Sequence, residues 1–118
     1  SDADNGGLES AFADDLPQFK VGQLVRHRRY DYRGVIVDFD MRCRAPDNWY
    51  QSNKTQPDRD QPWYHVLVDG SEHTTYAAET SLMAEPEPAP IHHPLVDPFF
   101  AGYENGQYQR NDRPWPSQ

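Results

Sequence analysis

The residues with the greatest chemical reach crowd into one short stretch. Between Val25 and Gly34 the chain carries Arg26, His27, Arg28, Arg29, Tyr30, Tyr32 and Arg33, with Lys20 before them and Arg42 and Arg44 after. Guanidinium groups pair with phosphates or carboxylates, and interleaved tyrosines stack on bases or on apolar side chains. The stretch is therefore expected to bind an acidic protein partner or a nucleic acid; a solvated turn whose arginines pair with the chain's own acids is the structural alternative. Trp49, Trp63, Phe99 and Phe100 are further candidates for peptide or partner contact. A cage for a cationic side chain would draw on Tyr32, Trp63, Tyr64 and Tyr76. In an extended strand Trp63 and Tyr64 point to opposite faces, so all four cannot line one pocket.

Catalysis finds little support. There is no nucleophile elbow of the Gly-x-Ser-x-Gly type and no glycine-rich phosphate loop. His65 and His73, on neighbouring strands with Asp69 or Glu72 in reach, have the chemistry for proton transfer or for two metal ligands. The plainer expectation is a pair of half-exposed strand histidines. His92 and His93 are adjacent and point apart on an extended segment. Cys43 lies between Arg42 and Arg44, which would activate an exposed thiol, but a structural role is expected. The reading is a non-enzymatic chain without cofactor or metal.

Charge narrows the partner class. The net charge is -8, unevenly spread. Residues 1–19 hold five acids and no Lys or Arg; residues 20–44 hold seven bases against three acids; residues 45–118 hold four bases against eleven acids. A general polyanion binder draws its affinity from phosphate neutralisation and is expected to be basic overall. Only the one arginine-rich stretch fits that demand, and its acidic surroundings favour a protein partner.

These side chains need a scaffold, and 118 residues supply at most one domain. Apolar content is 36% and aromatic content 13%, so burial leans on valines and rings, a β-rich profile. No run approaches the ~18–20 apolar residues that span a bilayer. A lone cysteine suits a reducing compartment. The expected location is the cytoplasm, or an organelle matrix if a targeting segment has been trimmed.

Residues 1–18 read as a flexible acidic arm, with Leu8, Phe12 and Leu16 hinting at a helical turn. A first strand is expected across Phe19–Val25. In Arg33–Asp40 period two places Val35, Val37 and Phe39 on one face, with Ile36 and Asp38 on the other. Residues 41–62 lack any period and read as a long loop with one helical turn near Trp49 and Tyr50. Strands follow at residues 63–69 and 73–77 around an Asp69-Gly70-Ser71 turn, with a last short strand near Ser81–Met83. From Pro86 onward prolines predict an extended spacer, whose Leu95, Val96, Phe99, Phe100, Tyr103 and Tyr108 either wrap over the domain or meet a partner. Exposed Phe pairs are a liability, which favours wrapping. The reading is thus an all-β, five-stranded SH3-like (Tudor-like) barrel over residues 19–84, with an arm at 1–18 and a Pro-rich aromatic extension at 85–118.

The blocks Phe19-Lys20-Val21-Gly22-Gln23-Leu24-Val25-Arg26-His27, Tyr32-Arg33-Gly34-Val35-Ile36-Val37 with Asp40, and Gln61-Pro62-Trp63-Tyr64-His65-Val66-Leu67-Val68, followed by Thr75, Tyr76, Ala78, Glu79 and Leu82, resemble the HspQ or YccV-like family, also called the hemimethylated-DNA-binding domain. The resemblance covers residues 19–83. Ile91, His93, Pro94, Phe99, Phe100 and Trp49 also look like the extension and loop of a related animal F-box protein. The resemblance implies a barrel without catalytic residues. It also implies one of two roles: binding hemimethylated duplex DNA, or acting in stress and heat-shock settings as an adaptor for AAA+ proteases of the Lon or Clp type, or as part of a ubiquitin ligase. The adaptor role is the expectation taken here, with AAA+ protease or client protein as partner, and DNA the alternative.

Overall fold

Valine-rich segments separated by tight turns form strands because β-branched side chains fit a pleated surface. The computed structural model describes residues 16–116; the acidic arm lies almost wholly outside them, as do Leu8 and Phe12. Five antiparallel strands, β1 (Leu24–His27), β2 (Arg33–Asp40), β3 (Trp63–Val68), β4 (Thr74–Ala78) and β5 (Leu82–Ala84), make one sheet in the order β4-β3-β2-β1-β5. A 3-10 turn at Glu79–Ser81 joins β4 to β5. This is the all-β, SH3-like architecture expected.

β2 reads Val-Ile-Val because both faces of the sheet are covered. Inside the curl, Val25, Ile36, Tyr64, Val66, Ala77 and Leu82 form one apolar cluster. On the reverse face Leu24, Val35, Val37 and Leu67 are buried under Ile91, Phe99, Phe100 and Tyr108 from the C-terminal segment. The register between β2 and β3 shifts between Ile36 and Asp38. Alternation is therefore reset at Val37: Phe39 packs with Ile36 and Tyr64 rather than with Val35 and Val37, correcting the strict period-two placement. Arg110 donates from Nε to the Val37 carbonyl at 2.9 Å, satisfying the backbone where the ladder is irregular.

The proline-rich run does not stay a spacer. The long loop carries a first helix, α1 (Asp47–Ser52), and the proline-rich run leads into a second, α2 (Val96–Phe99). After α2 come β6 (Phe100–Glu104) and β7 (Gln107–Arg110), a hairpin the sequence reading missed. Its turn residues Asn105 and Gly106 have φ of 54° and 80°, the left-handed pair that an Asn-Gly hairpin turn requires.

The first strand starts later than expected. Lys20 C=O accepts from Gln23 N–H at 3.1 Å and Gly22 has φ of +93°, so residues 20–23 turn and β1 begins only at Leu24. The long loop holds α1 where a helical turn was expected. It is anchored rather than loose: Tyr50 Oη donates to the Pro57 carbonyl at 2.6 Å, and Arg59 donates to the Ala45 carbonyl.

Candidate binding surface

The β1–β2 turn is built around His27. Its Nδ1 accepts from the backbone N–H groups of Arg29 (3.1 Å) and Tyr30 (3.0 Å), which places the ring proton on Nε2. The ring stacks on Tyr30 at 4.8 Å and on Tyr32 at 5.1 Å between centroids. Burial, with the neighbouring Arg29 charge, lowers its pKa below the ordinary imidazole value. The result is a stiff platform of three rings.

The arginines divide into two groups. Arg26 Nη2 lies 3.0 Å from buried Glu85 and its Nη1 3.1 Å from Asp31. Arg33 pairs with Asp69 at 2.9 Å and donates to the carbonyls of Ala89 and Pro90 at 3.0 and 2.7 Å. Both are engaged within the fold, and Arg33 ties the C-terminal segment to β2. Arg28 donates to the Leu82 carbonyl at 3.1 Å but is exposed, and exposed Arg29 lies 5.7 Å above the Tyr30 ring. Among the described residues neither makes an ion pair. Arg42 and Arg44 are also exposed, but they follow the far end of β2, about 25 Å from its start at roughly 3.3 Å per residue. The basic stretch therefore does not form one continuous rim.

The aromatic candidates separate in the same way. Phe99 and Phe100 are core residues beneath the reverse face and do not offer surface to a partner, and Trp63, 2% exposed, contributes only to the floor of the groove that runs along β4. Trp49 remains half-buried, packed edge-on to Trp63 at 6.2 Å and against Tyr76 at 5.8 Å. Tyr64 points into the curl, where its hydroxyl donates to Glu79 at 2.7 Å. A cage including Tyr64 is thereby excluded, as alternation required.

The histidine pair does not assemble. His65 lies opposite Tyr76 rather than His73, stacks near that ring at 4.6 Å and sits 3.5 Å from Asp40. Burial lowers its pKa despite Asp40. Tyr76 Oη donates to Asp40 at 2.6 Å and accepts from the Arg44 backbone N–H at 3.0 Å, and burial with this bond raises the phenol pKa. His73 is exposed, its carbonyl 2.9 Å from His93 Nε2. Asp69 serves Arg33 and the His92 backbone N–H. Cys43 is buried, which removes the exposure its activation needed. Among the described residues no group of three or more His, Cys, Asp or Glu is placed to hold a metal, and no helix is long and apolar enough to cross a membrane.

What the structure does bring together is a groove of about 460 Å³ along β4. One wall is the β1–β2 turn with His27, Tyr30 and Tyr32; the other is the α1 loop with Pro46, Trp49 and Lys54. Tyr32 Oη and Thr75 Oγ1 are 2.7 Å apart, fixing the turn against β4. Sequence reasoning found the wall residues Tyr30, Tyr32 and Trp49 but not their meeting with Lys54 across β4, since residues 41–62 carry no period.

The chain matches, over residues 17–107, the family described as hemimethylated DNA-binding protein YccV like. It is also 33% identical over 97 residues to F-box only protein 21 of Homo sapiens, and to the same protein of Pongo abelii and of Mus musculus. Each match covers 79% of this chain but only 15% of the relative, so the chain spans a small part of those proteins' length. With all five strands of its sheet and part of its C-terminal hairpin inside the matched region, the chain belongs to the YccV-like family of hemimethylated-DNA-binding proteins.

Proposed function

We propose that this chain is a non-enzymatic docking module that selects proteins for degradation, presenting a client to an AAA+ protease or to an F-box-type ligase in the cytoplasm or an organelle matrix. The observation that carries the reading is the engagement of Arg26 and Arg33 by Glu85, Asp31 and Asp69. It ties up two arginines of the basic stretch on a chain of net charge -8, a balance that repels a duplex and suits selective protein contact. Likeness to F-box only protein 21 supports the setting in protein turnover. The C-terminal extension acts in this reading as part of the scaffold.

A reconstituted degradation assay tests it, with casein as client and purified Lon- or Clp-type protease. Addition of the protein is expected to change the degradation rate, and the Arg28→Glu/Arg29→Glu double variant to lose that effect. An unchanged rate with every such protease and with a reconstituted F-box ligase overturns the reading.

The family description and the exposed Arg28, Arg29, Arg42 and Arg44 favour a second reading, hemimethylated duplex DNA. It requires affinity to fall linearly on a log-log salt plot, with a slope of about -0.9 per contacted phosphate. Mobility shifts on unmethylated, hemimethylated and fully methylated duplexes at about 50 and about 200 mM salt decide it.

A further inference from the structure

The groove along β4 has a feature that apolar clefts between side chains lack. Thr74, Thr75, Tyr76, Ala77 and Ala78 all line it, although successive side chains of a strand point to opposite faces. Five consecutive residues in one lining bring the strand's edge to the groove, and β4 is the end strand of the sheet; Trp63 and His65 of β3 line it from the sheet's face. The ladder fixes which backbone groups face outward. Val68 N–H donates to His73 C=O at 3.1 Å and Glu79 N–H to Pro62 C=O at 2.9 Å. Alternation between these two pairs directs Thr75 and Ala77 toward β3, and turns the N–H and C=O of Thr74 and Tyr76 to the groove. Thr74 is exposed and Tyr76 half-buried. Unpaired strand edges of this kind template a further strand.

The walls give the occupant its chemistry. Lys54 lines the groove, Arg29 lies over the lining Tyr30, and Arg44 bonds through its backbone to the lining Tyr76. These three cations are exposed and make no ion pair among the described residues. Three nearby acids are already engaged, Asp31 by Arg26, Asp47 by Arg59 and Asp40 by Tyr76, while Asp38 acts on the lining His65. Tyr30, Trp49 and the flanking prolines supply apolar surface for alternate side chains.

We infer that β4 takes an extended segment of a protein partner as an added strand, and that this segment alternates acidic with apolar residues. Backbone hydrogen bonds then supply register, and the alternate side chains supply specificity. The inference rests on the docking-module reading and names the surface and the class of client segment that reading needs.

The probe is an N-acetylated peptide of about seven residues alternating Glu with Val or Tyr, long enough to run beside β4. Two control peptides carry N-methylated alternate amides or Lys in place of Glu. Titration into 15N-labelled protein is expected to shift the amides of Thr74 and Tyr76, with both controls at least about tenfold weaker. Thr74→Pro removes one outward donor at an edge position that tolerates proline and is expected to weaken the probe while the thermal midpoint stays near wild type. Lys54→Glu, which leaves the strand untouched, is expected to weaken it as well. Equal affinity for the N-methylated or Lys peptide, or no β4 shift at about millimolar probe, overturns the inference. So does a duplex that shifts the same amides, or a self-associated dimer that Thr74→Pro abolishes. Casein degradation altered equally by wild type and by Thr74→Pro removes this surface and leaves the docking-module reading standing. Peptide binding at β4 with no effect on any degradation reaction does the opposite.

Discussion

The backbone N–H of Tyr108 donates to the carbonyl of Gly22 at 2.9 Å, stitching the last strand of the C-terminal hairpin to the turn that precedes β1. The approach is close enough that a Cβ on Gly22 would lie 2.1 Å from the Tyr108 carbonyl oxygen, and φ there is +93°. Both the clash and the left-handed backbone penalise any side chain. Gly22→Ala is expected to lose about 2–4 kcal/mol of stability, read as a lower urea midpoint. Gly70→Ala is the control, because its position also has positive φ (74°) but nothing within 4 Å of the added methyl; it is expected to cost only about 1 kcal/mol.

The same hairpin makes the C-terminal segment part of the core. Ile91, Phe99, Phe100 and Tyr108 cover Leu24, Val35, Val37 and Leu67. Re-exposing those four side chains costs about 1.5–3 kcal/mol each, which together rivals the whole stability of a small domain, about 5–15 kcal/mol. A chain truncated after Ala84 is therefore expected to bind the dye ANS and to aggregate, whereas the intact chain does not. A finer probe is Tyr108→Phe. It removes the hydroxyl that accepts from the buried Ile91 N–H at 2.8 Å and is expected to cost about 1–3 kcal/mol without changing secondary structure.

Local patterns carried the barrel and lost the extension for physical reasons. β-branched runs and the Asp69-Gly70 turn announced β2, β3 and β4 because each depends on neighbours in sequence. The face of Phe39 was lost because the irregularity at Val37 is set by pairing with β3, which no single strand reveals. The Asn105-Gly106 turn is a local hairpin signal, but the prolines that precede it point to an extended spacer. The sequence shows the arginines as one stretch. Their division into Arg26 and Arg33, held by Glu85 and Asp69, and the exposed Arg28 and Arg29 depends on acids more than 35 positions away in sequence. The groove depends on the α1 loop folding back to β4, a contact with no local trace.

That division of arginines separates stability from binding. Arg33 joins Asp69 and two carbonyls of the C-terminal segment, and the pair is about one-fifth exposed on each side. Arg33→Ala is expected to lower stability by about 1–3 kcal/mol, since it leaves Asp69 unpaired and frees the strap at Ala89–Pro90. Arg29→Ala, with its guanidinium in solvent over Tyr30, is expected to stay within about 0.5 kcal/mol of wild type. Denaturant melts of the two variants, run beside a partner-binding assay, should place the stability loss on Arg33 and the affinity loss on Arg29.

His27 gives the fold a pH dependence whose sign follows from its bonding. Nδ1 accepts two backbone N–H groups, an arrangement a protonated ring cannot keep, and burial lowers the folded-state pKa below 6.5. The unfolded chain therefore binds the proton more readily. His27 contributes stability in full above pH 6.5, and that contribution is lost as pH falls from there through the lower folded-state value. His65, also lowered by burial, adds to the slope in the same direction. His27→Asn keeps an acceptor for the Arg29 and Tyr30 amides but does not titrate. In urea melts from pH 7.5 downward the wild type is expected to lose stability more steeply than this variant below about pH 6.5. Parallel slopes for the two proteins would show that His27 does not hold the turn in its neutral form.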